Sequence, residues 1–385
     1  MKIVLFASCF LIGTVFFFFY RLPIEKAPVK LGVVLPLTGE YKSYGEAALR
    51  GLLMAVHDVN NSGGVLNGKR LELVVKDNKT QPGASVRLTR ELIQKENVLA
   101  IFGPVSSASR NAMTEVLEQF RTPQFYGIDY EGGVPNKWLF CYSPIPDHYI
   151  KPLVPYMFEN YGKSFYVFGY DYIWPHNIAK VVEREVEALG GRVVGLEFTP
   201  FGIQDFSQVL QRIKESEAEN LILILPGNDG IKFIRQFNAA GMKRAQQMAA
   251  LASDEMYIKR LSAKELEGII SPLHFVSSLT TPEATRFVKK ARSLFGEQTV
   301  VTYASEAHYG LVLMLTEAIE KVGALDKEKI VEAMTNVEVI VGNGLVQMRS
   351  DHNVNMNMLL AQFKGGKLDV IKDFGLISPS DQRTR

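Results

Sequence analysis

Cysteine is scarce in this sequence, and neither sign of charge dominates. The 385 residues contain two cysteines, Cys9 and Cys141, which provide neither a disulfide framework nor a cysteine zinc site. The 43 lysines and arginines nearly balance the 41 aspartates and glutamates, so the net charge is +2. This balance offers no basic surface for nucleic acid. With 47% apolar residues and no low-complexity segment, the composition is that of a folded globular protein, and the length predicts two domains.

Motifs of catalytic and metal sites are also missing. No two of the six histidines are four residues apart, and none lies in a cluster of metal-ligand type. The Gly-x-Ser-x-Gly sequence of hydrolase nucleophiles does not occur. Asp254 and Glu255 are adjacent, so on a regular element they point in different directions and form a poor acid–base pair. The sequence therefore predicts a protein that is not an enzyme and that needs no cofactor or metal.

The N-terminus has the pattern of an export segment. Lys2 precedes an apolar run of 18 residues, Ile3–Tyr20, and Arg21 follows it. No small-x-small cleavage site lies before Arg21, and the run is slightly short for a spanning helix, which needs about 20 residues. The segment Phe6–Cys9 also faintly resembles a lipoprotein box. We therefore predict that residues 1–27 are a signal peptide or an uncleaved membrane anchor, and that the rest of the chain is periplasmic or otherwise extracytoplasmic.

Strands and helices alternate along the rest of the chain. Leu31–Leu35 is an apolar run that predicts a buried strand, and Gly45–Val59 has apolar residues at helical spacing. The alternation starts again with a predicted strand at Ser164–Gly169 and a helix at Asn177–Leu189. Near the C-terminus, Lys364-Gly365-Gly366 predicts a hairpin turn between two strands. The pattern predicts two α/β units with mostly parallel sheets, and because no linker separates them, the chain is expected to cross between them several times.

Several motifs carry a resemblance to a known family. The segment Pro36-Leu37-Thr38-Gly39, the glycines Gly45 and Gly51, the turn Asn61-Ser62-Gly63-Gly64 and the segment 101–110 (IFGPVSSASR) resemble type I periplasmic solute-binding proteins of ABC transporters. That group contains receptors for branched-chain amino acids, amides and urea. The resemblance covers nearly everything after Lys30. Three further stretches resemble the amide and urea branch, namely residues 126–133, 169–175 and 343–353.

The resemblance implies a two-lobed fold of the Venus flytrap type. Each lobe is expected to be a parallel sheet flanked by helices, with lobe 1 formed by residues 28–143 plus 277–348 and lobe 2 by residues 144–276 plus 349–385. Three crossovers would then lie near Tyr142–Pro144, Val276–Ser278 and Met348–Asp351. The resemblance also implies a small-molecule ligand in the cleft between the lobes.

The function implied by the resemblance is solute uptake. The chain would bind urea or a short-chain amide outside the cytoplasm and deliver it to an ABC permease and its ATPase. Two alternatives stay open: a receptor for branched-chain or other amino acids with the same fold, and a ligand-sensing domain held at the membrane by the N-terminal segment. Homodimerisation is also possible, because family members often dimerise.

Candidate ligand-binding residues follow the predicted strands, because ligands of parallel sheets bind at the carboxyl ends of the strands. Ser106 and Ser107 precede a helix, where free N–H groups favour a carboxylate or carbonyl oxygen. The resemblance assigns ligand contact to Ser107 in particular. The alternative is that either serine is only an N-cap.

The next predicted strand ends at Tyr126, which we predict to be a wall of the cleft. The family usually has a small hydroxyl residue two positions later, where this chain has Ile128, so a donor is missing. Asp129 follows, and we expect it to cap the next turn rather than face the cleft.

The second lobe supplies the remaining candidates. Tyr172 is the predicted aromatic wall, and Asn228 follows a later strand. Glu255, or its neighbour Asp254, is predicted to contact the polar head of the ligand, as an ammonium partner or as an acceptor for NH₂ groups. Both acids have the alternative role of capping the next helix.

Overall fold

The computed structural model describes residues 26–242 and 246–384. Almost all of the predicted signal peptide or anchor, residues 1–27, lies outside these residues, so that interpretation stays a prediction. In the part of the chain that the structure describes, no helix combines the length and the apolar character needed to cross a membrane.

The first α/β unit is built on a parallel sheet. Its strand order within the described residues is β2-β1-β3-β4-β5. Strands β3 and β4 are buried along their whole length, because helices cover both faces of the sheet, and this explains the apolar runs in the sequence. The elements are β1 (Val29–Leu35), α1 (Lys42–Asn61), β2 (Leu71–Asp77), α2 (Pro82–Gln94), β3 (Ala100–Phe102), α3 (Ser107–Gln119), β4 (Gln124–Tyr126) and β5 (Leu139–Cys141).

The second unit is built on a larger, mixed sheet. Strands β6 to β10 pair in parallel, whereas β11 to β14 add antiparallel pairs. The parallel part matches the predicted, mostly parallel sheet. The antiparallel pairs arise because the C-terminal strands are joined by hairpins, including the predicted turn at residues 364–366. The elements of this part are α4 (Pro146–Tyr161), β6 (Ser164–Tyr170), α5 (Ile173–Ala188), β7 (Arg192–Thr199), α6 (Ser207–Glu215), β8 (Asn220–Ile224), α7 (Asn228–Ala239), β9 (Gln247–Ala250), α8 (Ala263–Leu266) and β10 (Ile270–Leu273), followed by α9 (Pro282–Phe295), α10 (Tyr303–Val322), α11 (Lys327–Ala333), β11 (Glu338–Val341), β12 (Gly344–Met348), β13 (Val354–Lys364) and β14 (Lys367–Ile377).

Helix α10 returns to the first unit, where it packs along α1. Gly51 makes this packing possible, because a Cβ at that position would lie 2.0 Å from the carbonyl oxygen of Ser305. The chain then enters the second sheet again through β13, which pairs with both β10 and β14. The expectation of repeated crossing between two α/β units is confirmed. The residue limits that we gave for lobe 1 and lobe 2 stay a prediction.

Candidate functional site

A pocket with about 300 Å³ of empty space, part of which is open to solvent, lies between the two units. It is called the cavity below. Its walls come from segments that follow the carboxyl ends of β1, β3, β4, β6, β8 and β9, together with the start of α10, as expected for parallel sheets. The residues that line it are Tyr41, Tyr44, Val105, Ser107, Ile128, Asp129, Tyr172, Trp174, Pro226, Ala252 and Tyr303.

Direct hydrogen bonds close the cleft around this cavity. Oε1 of Glu40, just after β1, accepts hydrogen bonds from the hydroxyl of Tyr170 at 3.0 Å and from the N–H of Asp229 at 3.0 Å. The hydroxyl of Tyr44 donates to the carbonyl of Ala252 at 2.7 Å. Asp229 lies in the first turn of α7, so the Glu40 carboxylate caps a helix of the opposite unit. The two units are therefore held together in a closed arrangement.

Ser106 and Ser107 have different roles in the structure. The side chain of Ser106 is the N-cap of α3, since its Oγ accepts a hydrogen bond from the N–H of Ser109 at 3.2 Å. Ser107 lines the cavity, and its hydroxyl donates to Oε2 of Glu131 at 2.7 Å. The capping alternative thus describes Ser106, whereas Ser107 faces the cavity, and its contact with a ligand stays a prediction.

Behind Ser107 lies a buried ion pair. Nη2 of Arg110 is 2.5 Å from Oε1 of Glu131, and the side chain of Arg110 is fully buried. The guanidinium carbon lies 5.0 Å from the ring centre of Tyr126 and 4.6 Å from that of Tyr130. Burial, the largest single effect, acts to lower the pKa of Arg110, but Glu131, together with the smaller effects of Tyr126, Cys141 and Tyr130, raises that pKa overall. The pair therefore places two buried, opposite charges directly behind the cavity wall.

Asp129 is the main site residue that the sequence analysis missed. It lines the cavity and is 5% exposed, and its Oδ1 has no hydrogen-bond partner. Burial raises its pKa to about 7, an effect that the nearby His274 partly opposes. Our expectation that Asp129 caps a turn instead of facing the cleft is wrong. Ile128, directly before it, also lines the cavity, so a carboxyl group now stands beside the position where a hydroxyl was expected.

Tyr303 was also missed. It is the first residue of α10, it lines the cavity, and its buried hydroxyl has no partner. Burial raises its pKa well above the ordinary value, so the hydroxyl keeps its proton and is able to donate. Because it lies far along the chain from the other site residues, no local sequence signal pointed to it.

The other predicted residues divide between the cavity and its surroundings. Tyr172 lines the cavity and its hydroxyl is 3.2 Å from that of Tyr41. Tyr126 lies outside the lining and donates to the carbonyl of Val105 at 2.5 Å, so it supports the wall from behind. Asn228 accepts a long hydrogen bond from Arg260 at 3.4 Å on an exposed surface.

Asp254 and Glu255 are buried, but they do not line the cavity. Oδ1 of Asp254 accepts from the N–H of Met256 at 2.9 Å, and Oε1 of Glu255 accepts from the N–H of Ser277 at 2.5 Å. Burial raises the pKa of both, that of Glu255 to about 7. The short helix Tyr257–Lys259 that follows has no side-chain cap, so neither acid has the predicted capping role. Contact of either acid with a ligand stays a prediction. Within the described ranges, no group of three or more histidine, cysteine or acidic side chains is arranged to hold a metal ion.

Comparison with known proteins identifies the family. A family model described as "Periplasmic binding protein" matches residues 28–367, which is most of the chain. The chain belongs to the periplasmic binding protein family. Membership implies a location outside the cytoplasm, and it confirms the family and the fold that the sequence motifs predicted.

Curated relatives of this binding protein cover most of its length. It is 24% identical over 345 residues to Leu/Ile/Val-binding protein homolog 6 of Brucella melitensis, with 87% of each chain covered. It is 25% identical over 370 residues to Leu/Ile/Val-binding protein homolog 8 of Brucella abortus, with 89% of this chain and 90% of the relative covered.

Solved structures share the fold. A solute-binding protein of an ABC transporter from R. palustris, in complex with benzoate, has a TM-score of 0.84 at 20% identity and covers 92% of this chain and 99% of its own. A branched-chain amino acid transporter substrate-binding protein from Streptococcus pneumoniae, in complex with isoleucine, has a TM-score of 0.80 at 21% identity, with 91% and 100% covered. These two neighbours are substrate-binding proteins of transporters, and they hold different ligands. The closeness to the amide and urea branch stays a prediction.

Proposed function

We propose that this binding protein captures one small ligand that carries N–H donors, in the cavity between its two units. The observation that carries the proposal is the unpartnered Oδ1 of Asp129 on the cavity wall. A buried carboxyl oxygen without a hydrogen bond is costly, and a ligand N–H group would satisfy it. The hydroxyls of Tyr172 and Tyr303 would donate hydrogen bonds to an acceptor atom at the other end of the ligand.

Two ligand classes meet this description. Urea or a short amide needs hydrogen bonds alone, and the cavity supplies acceptors and donors within a small volume. An amino acid with an apolar side chain would pair its ammonium group with Asp129 and pack its side chain against Ile128 and Trp174. The charge of Asp129 and the names of the Brucella relatives support the amino acid, whereas the amide resemblance in the sequence supports the first class.

The closed receptor would then be recognised by an ABC permease and its ATPase. Binding favours closure because contacts such as Glu40 with the first turn of α7 exist only when the units meet. A ligand-sensing role at the membrane depends on residues 1–25, which lie outside the described residues, and it remains an alternative. Homodimerisation likewise remains a prediction.

The proposal is tested by a thermal-shift screen followed by calorimetry on the purified protein. The ligands are urea, acetamide, leucine, isoleucine, valine, glutamate and benzoate. A ligand at 100 times its Kd stabilises the folded state by about 2.7 kcal/mol, which such a screen detects. We expect a shift with N–H ligands and none with benzoate. A shift with benzoate alone would refute the proposal, since benzoate has no N–H group.

A further inference from the structure

The single proton of the Ser107 hydroxyl is already engaged. Its Oγ lies 2.7 Å from Oε2 of Glu131. An ionised carboxylate only accepts hydrogen bonds, so the shared proton belongs to Ser107. The hydroxyl therefore presents lone pairs, and no proton, to any other neighbour.

The ion pair with Arg110 holds the Glu131 carboxylate in the position where it accepts the hydrogen bond from Ser107. Its second oxygen, Oε1, is 2.5 Å from Nη2 of Arg110, and the two side chains are 5% and 0% exposed. Arginine stays charged in proteins, and a buried positive charge requires a negative partner. Protonating Glu131, or turning it away, would leave Arg110 unpaired between the rings of Tyr126 and Tyr130. The Arg110–Glu131 pair thus fixes the direction of the Ser107 hydrogen bond.

Two acceptors therefore face the cavity from the same side. One is Oγ of Ser107, which receives only a long contact of 3.5 Å from Nη1 of Arg110. The other is the unpartnered Oδ1 of Asp129. A ligand carboxylate at this side would meet only oxygen lone pairs on these side chains, whereas an N–H group would be bound by both.

We infer that Glu131, held by Arg110, is a positioning residue that fixes Ser107 as a hydrogen-bond acceptor, so that the ligand directs N–H groups and not a carboxylate at this side of the cavity. The inference rests on the proposed function and deepens it. It reverses the expectation that Ser107 holds a carboxylate or carbonyl oxygen, because a serine bonded to a carboxylate has no proton left for that role.

The test uses pairs of probes that differ in one group. Propionamide is compared with propionate, and 4-methylpentanamide with 4-methylpentanoate, by calorimetry on the full protein. The wild type is expected to bind each amide at least ten times more tightly than its carboxylate. In an Arg110→Met, Glu131→Leu double variant, which removes both charges at similar volume, Ser107 is free to donate, and the preference is expected to fall at least tenfold.

A control with the same chemistry exists in the second unit, between β7 and α6 and outside the residues that line the cavity. Arg212 pairs with Glu197 at 2.6 Å, and Glu197 also accepts a hydrogen bond from the hydroxyl of Tyr166. The double variant Arg212→Met, Glu197→Leu removes a similar triad away from the cavity, and it is expected to leave the amide preference unchanged.

A second variant covers the case in which the first does not fold. Ser107→Ala removes the acceptor, so amide binding is expected to weaken about tenfold while carboxylate binding stays the same. An unchanged amide preference in the Arg110/Glu131 variant, with amides still bound, would overturn the role of Glu131 and leave the proposed function standing. Wild-type binding of the carboxylates alone would overturn both, and so would binding of no probe here together with no shift for any N–H ligand in the thermal-shift screen.

Discussion

The two sides of the cavity differ in the chemistry that they present. The side of the first sheet, with α10 packed on it, contributes a serine hydroxyl, an unpartnered carboxyl oxygen and an unpartnered tyrosine hydroxyl, from Ser107, Asp129 and Tyr303. The side of the second sheet contributes the rings of Tyr172 and Trp174 and the small residues Pro226 and Ala252. The difference indicates that one unit recognises the polar group of the ligand, while the other closes over it and excludes water.

Buried carboxyl groups show that burial alone does not identify the recognition side. Burial raises the pKa of Asp129 and of Glu255, each to about 7. Yet Asp129 faces the cavity, whereas Glu255 is bonded to the backbone of Ser277 outside it. The raised pKa is thus common to a carboxyl that faces the cavity and to one that does not. Position relative to the cavity, and not the pKa, distinguishes the proposed recognition residue Asp129 from the structural residue Glu255.

The pH dependence of stability tests this shared property. In Asp129 the folded-state pKa of about 7 lies above the ordinary value of 3.8, so its contribution to stability is present below about pH 4 and is lost as the pH rises through 7. That shift corresponds to roughly 4 kcal/mol. The free energy of unfolding of the wild type, relative to Asp129→Asn, is therefore expected to fall by about that amount between pH 4 and pH 8, as measured by urea denaturation.

Glu255→Gln is expected to show the same sign, with a decrease of roughly 3 kcal/mol, because its pKa rises from 4.5 to about 7. A relative stability that is constant with pH, in either variant, would show that the carboxyl is not buried in the free protein. A similar pH dependence of the relative free energy of unfolding in both variants would support the view that Asp129 and Glu255 are buried to a similar extent.

Ligand affinity is expected to separate the same side chains. Asp129→Asn should weaken binding of the best N–H ligand about 10- to 100-fold, since a hydrogen bond to a charged group contributes about 1.5–3 kcal/mol. Asp254→Asn, which changes a buried carboxyl outside the cavity, should change the Kd less than about threefold. Calorimetry measures both. A larger effect from Asp254→Asn would move the recognition group to the second unit, as the sequence analysis proposed.

The contribution to closure of the contacts between the two units is tested at Glu40, in the first unit. Glu40→Ala removes the acceptor for Tyr170 and for the first turn of α7, so we expect about tenfold weaker binding and a larger scattering radius at subsaturating ligand. Glu46→Ala is the control, because Glu46 lies on α1 and forms only a loose pair with Lys42, at 3.5 Å. Equal scattering radii in the two variants would show that Glu40 does not stabilise the closed form.

Much of the fold was predictable because its signals are local. The apolar run Leu31–Leu35 lies within β1, and the turn at residues 364–366 joins β13 to β14, as predicted. Of the seven predicted ligand-binding residues, Ser107 and Tyr172 line the cavity, and their contact with a ligand stays a prediction. Both follow strands directly, so the rule about strand ends applies to them.

The rest of the site depends on information that is not local. Ile128 and Asp129 are adjacent and both line the cavity, so the segment after β4 is irregular and a strand-like alternation of faces fails there. Tyr303 reaches the cavity only because α10 packs along α1, more than 170 residues from Asp129 in the sequence. Nor does the sequence tell whether an acid such as Glu255 faces a ligand or a backbone N–H.

The smallest expected effect concerns the hydroxyl of Tyr172, where the two sides meet. Its oxygen is 3.2 Å from that of Tyr41, and the ring walls the cavity. Tyr172→Phe keeps the ring and removes one neutral hydrogen bond of about 1 kcal/mol, so calorimetry should show about three- to fivefold weaker binding. Tyr156→Phe in α4 is a matched control, expected to have no effect. A loss in Tyr172→Phe as large as that in Asp129→Asn would show that the second unit also recognises the polar group, because the ring that excludes water is still present.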